Sequence, residues 1–280
     1  MITQDFRPQS FDQLVGQDMN VEVLKAIIKN PSNAPRSIIL GGAYGSGKTT
    51  SARVFARALN CQNRGSDLNP CGLCTNCLYD IDNSPYYIEY DAGVMGTIDK
   101  VRELRETFYY RTKGVYRVIV LDECHRLSKA AQSALLKVVE EAPDGIFFIW
   151  STTDVDDIIH PIRSRSLLLQ YGIVPPEETM RSLNYIINAK QIQISDECKK
   201  LIVSRAHGHM RDAHMLLDLY CLIGSEKFPE VVQSSVSIFA RYFMSIYNKN
   251  KDLVLKCVEE LSSFPMASLK SDFELFVFGQ

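Results

Sequence analysis

From residue 36 to 172 the chain alternates short apolar runs with stretches whose apolar positions recur every three or four residues. The runs RSIILGGA, YYIEYDA, YRVIVLDE, GIFFIWSTT and SLLLQYG are rich in Ile, Val, Tyr and Phe and bounded by Gly or polar turns. They predict five strands. Between them, 48–60, 97–110 and 128–141 carry helical spacing, so the order strand, helix, strand predicts an α/β fold with a parallel sheet covered by helices. Two prolines in VPPEE, 174–178, break that order, and 177–188, 195–206 and 209–223 read as a small helical domain. A last helical stretch runs from about 229 to the end through FARYFMSIYNK and DLVLKCVEELSSF. The expected division is 1–173, 174–224 and 225–280, with no internal repeat and no low-complexity tail.

Composition changes this picture little. At 280 residues and 46% apolar content the chain can bury a sizeable core. Its 31 Lys and Arg against 33 Asp and Glu leave a net charge of −2, so any contact with nucleic acid must be local. The start MITQDFRPQSF lacks the basic-then-apolar pattern of a signal peptide, and no apolar run reaches the roughly 20 residues that cross a bilayer; a cytoplasmic protein is expected.

Chemistry enters at GAYGSGKT, Gly42 to Thr49, which fits G-x-x-x-x-G-K-[ST] between a strand and a helix. Backbone N–H groups of Gly42, Ala43, Tyr44, Gly45, Ser46, Gly47, Lys48, Thr49 and Thr50, with the positive helix end, suit phosphate oxygens. Lys48 is expected on the outer phosphates of ATP, and the Thr49 hydroxyl on magnesium. The second element is VIVLDECHRLS. An apolar run ends in Asp122 and Glu123, placing two carboxylates at the carboxyl end of a buried strand, where ligands of open parallel sheets bind. Asp122 suits the magnesium shell, and Glu123 suits activation of a water for attack on the terminal phosphate. DECH also fits the D-E-x-H box of helicases, but nothing after residue 175 resembles the second parallel sheet such enzymes generally need.

Cys61, Cys71, Cys74 and Cys77 stand as C-x9-C-x2-C-x2-C on a Pro- and Gly-bearing turn. Four thiolates at that spacing suit a closed tetrahedral zinc site with a structural role. An iron–sulfur cluster and unliganded thiols are the alternatives. Cys124, Cys198, Cys221 and Cys257 are scattered and read as small core residues.

In sequence order, FRPQSFDQLVGQ, GAYGSGKTT, LNC, PCGLCTNC, LDECHRLSKAAQSALLKVVEEAP, STTD, RSRS and GHMRDAHMLLD resemble the gamma/tau subunit of bacterial DNA polymerase III, the AAA+ motor of the sliding-clamp loader. The resemblance covers about residues 5–223. It implies an AAA+ P-loop domain with a zinc-binding insert at 61–78 that takes no part in hydrolysis, a helical lid, and a collar-like C-terminal segment. It implies that Pro8, Val15, Gly16 and Gln17 pack against the adenine, and that Thr153 is the polar sensor; strand alternation points Thr152 to the opposite face, so one of the two is structural. Arg165 falls at the arginine finger that enters a neighbouring subunit's site, with Ser166 where the family has cysteine, and Arg211 at the second sensor. The implied partners are a sliding clamp, primer–template DNA and further loader subunits in a ring.

The resemblance departs in two places. The first cysteine gap is one residue longer than usual in the family, which a loop absorbs readily. About 55 residues follow position 225, fewer than the family's collar domain, and no tau-type extension follows; a compact or viral relative and a trimmed chain both fit. The segment 97–117, with six basic and three acidic residues, is the candidate for facing DNA or clamp, against a plain solvated helix face. Rival functions are a helicase loader or replication initiator, for which the cysteine insert is unexpected, and a non-hydrolysing loader scaffold, for which the intact Lys48, Thr49, Asp122 and Glu123 are unexpected.

Overall fold

The structure, a computed structural model, describes residues 2–95, 116–140 and 144–232, with isolated positions beyond. Five strands form one parallel sheet: β1 Ser37–Gly42, β2 Tyr87–Asp91, β3 Arg117–Asp122, β4 Ile146–Thr152 and β5 Leu167–Tyr171. All five were expected from the apolar runs. Their order is β2-β3-β4-β1-β5, so β4 lies between β1 and β3. The central strands β1 and β4 are buried at every position, as strands covered on both faces must be, whereas the edge strands β2 and β5 are buried in part.

The helices are α1 Ile2–Asp5, α2 Asp18–Lys29, α3 Lys48–Asn60, α4 Thr75–Leu78, α5 Ala92–Met95, α6 Lys129–Glu140, α7 His160–Arg163, α8 Pro176–Lys190, α9 Asp196–Ala206 and α10 Met210–Val232. Helix α8 starts with proline at its first position, where the missing N–H costs nothing. Ser195 caps α9 by accepting from the Cys198 N–H. Helix α10 breaks at Gly224, whose φ of 79° and ψ of 171° lie outside the helical region. The helix expected over 97–110 and most of the basic segment 97–117 lie outside the described residues; Arg117 opens β3.

Strand alternation sends side chains into two cores. Leu24, Ile28, Ile38, Leu40, Val54, Phe55, Val118, Val120, Phe147 and Ile149 pack on the face covered by α2 and α3. Ile39, Ile119, Leu121, Phe148 and Trp150 meet Leu127, Leu135, Ile158 and Ile162 on the other. The Trp150 Nε1–H donates to Ser37 Oγ at 3.0 Å, so the buried indole keeps a partner. Cys124 and Cys198 are buried core residues as expected, whereas Cys221 is exposed; Cys257 lies outside the described residues. The chain divides into two compact units, Met1–Asp218 and Leu219–Gln280. In the second, Tyr220 and Phe228 meet edge to face at 5.3 Å. No helix among the described residues is long and apolar enough to cross a membrane.

Candidate nucleotide site

The phosphate loop leaves β1 through Gly42, where an added Cβ would lie 2.3 Å from the Tyr171 carbonyl oxygen of β5. Only glycine fits that approach. The loop turns through Gly45 and Gly47, at φ of 74° and 96°, and Gly47 precedes α3. Ala43 and Tyr44 are exposed, while Ser46 is buried and its hydroxyl donates to the Ala43 carbonyl at 2.7 Å. The buried Lys48 ammonium donates to the carbonyl oxygens of Gly42 and Ala43 at 2.7 and 2.9 Å. Burial pulls its pKa below the usual range, and the charges of Asp122 and Glu123 oppose that pull.

Because the strands run parallel, the phosphate loop and the two acids emerge from the same end of the sheet, with β4 between them. The Thr49 hydroxyl donates to Asp122 Oδ2 at 3.0 Å. That spacing matches adjacent corners of a magnesium octahedron with Mg–O bonds of about 2.1 Å, so the two oxygens fit the ion. Glu123 follows in the left-handed region at φ 52°, uncommon for a residue with a side chain. Its carboxylate lies 3.4 Å from His125 Nε2, and His125 Nδ1 lies 3.2 Å from Thr152 Oγ1. Thr152 is fully buried, donates to the Asp154 carbonyl at 2.7 Å and accepts from its N–H at 3.0 Å. Thr153 is exposed just past the end of β4.

The N-terminal segment closes another side. Gln17 is buried, and its amide nitrogen donates to the Gly172 carbonyl at 2.9 Å and lies 3.5 Å from that of Ser46, joining the segment, the loop and the exit of β5. Gly16, at φ 69°, lets the backbone press against Val174 and Pro175. Pro8 and Val15 are half-buried. The Arg7 guanidinium donates to Thr50 Oγ1 at 3.3 Å, on the first turn of α3. Above the loop, the start of α10 contributes Arg211, whose guanidinium bonds the Tyr44 hydroxyl.

Arg165 is elsewhere. It follows α7 and precedes β5, whose Leu167 pairs with Ile38 near the start of β1. The loop leaves from the far end of β1, and at about 3.3 Å per residue the four positions from Ile38 to Gly42 alone separate them by about 13 Å. Arg165 is half exposed, paired with Glu140 at 2.9 Å and donating to the Pro161 carbonyl at 3.1 Å.

The four cysteine sulfurs, at the end of α3 and around α4, lie within 4.8 Å of one another. Cys71 and Cys77 sulfurs are 3.9 Å apart, close to the edge of a tetrahedron with metal–sulfur bonds of about 2.3 Å. The N–H groups of Cys71, Leu73 and Cys74 point at sulfur, at 3.3–3.4 Å. Burial works against ionisation of Cys74, yet N–H donors from Gln62 and Cys77 and the neighbouring thiols bring its pKa to about 6, while burial pushes Cys77 up to about 12. The donor set fits zinc. Asn76 ties this turn to the Asn60 carbonyl at 2.8 Å, and Asn69 ties its other side to the N-terminal segment, accepting from the Phe11 N–H at 2.9 Å and donating to Asp12 at 2.7 Å.

The family described as DNA polymerase III, delta subunit, matches residues 16–173, more than half of the chain. The chain belongs to that family. Among its relatives, the DNA polymerase III subunit gamma of Buchnera aphidicola (subsp. Schizaphis graminum) is 36% identical over 227 residues, covering 78% of this chain and 60% of that one. The DNA polymerase III subunit gamma/tau of Mycobacterium bovis is 35% identical over 217 residues, covering 76% of this chain and 37% of that one. The chain therefore spans between about a third and three fifths of these relatives' length. The gamma/tau resemblance read from the motifs stands. A solved structure of the Thermotoga maritima RuvB Holliday junction branch migration motor superposes with a TM-score of 0.57 at 22% identity, covering 91% of this chain and 73% of that one. That likeness concerns the fold, the AAA+ P-loop fold.

Within this family member, the structure adds residues that the motif reading did not single out for a role. Arg7 and His125 lie inside quoted motifs, but nothing in their spacing says that one reaches Thr50 and the other bridges Glu123 to Thr152. His209 and the Tyr44 carbonyl meet only because the chain returns over the loop 165 positions later.

Proposed function

We propose that this chain is an ATP-hydrolysing motor subunit of a sliding-clamp loader, which uses ATP binding to open a ring-shaped clamp on primer–template DNA and hydrolysis to release it. One observation carries the reading: the phosphate loop, Lys48, Thr49, Asp122 and Glu123 gather at one end of the sheet, whereas Arg165 stands at the other. A guanidinium placed there suits a neighbour's phosphates and not its own. The family is named for a delta subunit and the relatives are gamma and tau subunits. The intact lysine and acid pair favour the motor over a non-hydrolysing scaffold.

In this reading Pro8, Val15, Gly16 and Gln17 line the adenine pocket, and the amides from Gly42 to Thr50 receive the phosphates. Lys48 exchanges two loop carbonyls for phosphate oxygens, a stronger charge-assisted pairing. Thr49 and Asp122 hold magnesium, which when bound offsets the phosphate charge. Glu123 turns from His125 to orient the attacking water, Thr153 bonds the terminal phosphate, and Arg211 senses nucleotide from the helical lid, 174–224. Arg165 completes the site of the next subunit. The four cysteines hold a structural zinc, and the collar-like segment 225–280 joins subunits into a ring in the cytoplasm.

The test is ATP turnover by the assembled subunit with and without clamp and primed DNA. Stimulation by both together is expected. Turnover indifferent to the clamp favours a helicase loader, and absence of turnover a scaffold.

A further inference from the structure

The phosphate loop is roofed by residues that follow Gly208. The Arg211 guanidinium bonds the Tyr44 hydroxyl and lies with its central carbon 5.2 Å from the centre of the Tyr44 ring. On the backbone side of the same residue, His209 Nδ1 lies 2.7 Å from the Tyr44 carbonyl oxygen. A carbonyl only accepts, so Nδ1 carries the proton and donates. Beside it, a Cβ on Gly45 would sit 3.5 Å from the Cβ of His209 and 3.6 Å from that of Arg211, so loop and roof are in van der Waals range. The roof is itself fixed: the Val174 N–H donates to the Gly208 carbonyl at 3.0 Å, and a Cβ on Gly208 would strike the Val174 backbone.

We propose that the Tyr44 side chain is a positioning residue for Arg211, holding its guanidinium over the phosphate loop before nucleotide arrives. This rests on the reading of Arg211 as a nucleotide-sensing arginine. A free arginine side chain loses much rotameric freedom when it is fixed on a ligand. Ring and hydroxyl remove that freedom in advance, as pre-organisation does in any binding site. The phenol oxygen uses one of five N–H donors, leaving the others for phosphate oxygens. Tyr44 is 54% exposed, so its contact with Arg211 stabilises the fold little, and its replacement leaves the core untouched. The loop motif accepts any residue at this position, so the tyrosine carries information that the motif does not.

The experiment is a double-mutant cycle on nucleotide binding by the full chain, read with fluorescent ATP and ADP analogues in magnesium and controlled by thermal melting. Tyr44→Ala is expected to weaken ATP about tenfold, equivalent to about 1.4 kcal/mol, with a smaller change for ADP and no change in melting temperature. Tyr44→Phe, which keeps the ring, is expected between Tyr44→Ala and wild type. In an Arg211→Ala background the Tyr44→Ala effect is expected to vanish. A Tyr44→Ala effect of equal size with and without Arg211, or no effect at all, overturns the proposal while leaving the nucleotide site intact. A wild-type chain that binds ATP no better than Lys48→Ala overturns the nucleotide reading beneath it.

Discussion

The two ends of the sheet differ in how their charged groups are held. At the carboxyl ends of the strands, Lys48 is buried, Thr49 and Asp122 are already hydrogen-bonded, and glycines let the loop turn at positive φ. At the amino end of β5, Arg165 is half exposed and held by one carboxylate, one carbonyl and the Ser164 hydroxyl. The first arrangement suits a ligand received in place, the second a side chain offered to something outside the chain. On the proposed reading each end is half of a catalytic centre, and the difference in burial distinguishes the half that receives from the half that is offered.

Removing the receiving half has the largest expected effect. Lys48→Ala leaves the loop carbonyls in place but takes away the cation facing the phosphates, and nucleotide binding, measured by a fluorescent analogue, is expected to be abolished. Arg165→Ala tests the other half: binding is expected unchanged, while turnover stimulated by clamp and primed DNA falls by about 10³-fold or more, the range seen when an arginine finger is lost. Normal clamp loading by Arg165→Ala erases the contrast between the two ends. Chelation of zinc, checked by elemental analysis near one ion per chain, is expected to lower thermal stability measurably while leaving Lys48-dependent ATP binding far less affected than Lys48→Ala does. Smallest is Glu140→Gln. A half-exposed ion pair contributes at most about 1 kcal/mol, so melting should barely shift. A loss of stimulated turnover smaller than that of Arg165→Ala would show that Glu140 aims the arginine; an unchanged rate would show that the arginine aims itself.

Much of this was legible in the chain because the signals were local. The runs SIILGG, RVIVLD and IFFIWST are continuous and apolar, as buried parallel strands are, and Pro176 and Gly224 mark real limits of helices. The order of the strands was not legible, since apolar runs alone do not say that β4 enters between β1 and β3. Neighbouring threonines pose a similar difficulty: alternation says that Thr152 and Thr153 face opposite ways, but only the contacts with His125 and Asp154 give Thr152 its buried partners. Contacts across 165 residues, such as His209 with Tyr44, leave no periodic trace at all.

The bond between Asn69 and the Phe11–Asp12 backbone and side chain ties the sulfur-rich turn to the strap that carries Arg7 to Thr50. On the proposed reading, oxidising those thiols would therefore loosen from behind the segment that lines the adenine pocket. A redox insult at the cysteine turn would then reach the proposed motor as a change in how firmly it grips the base.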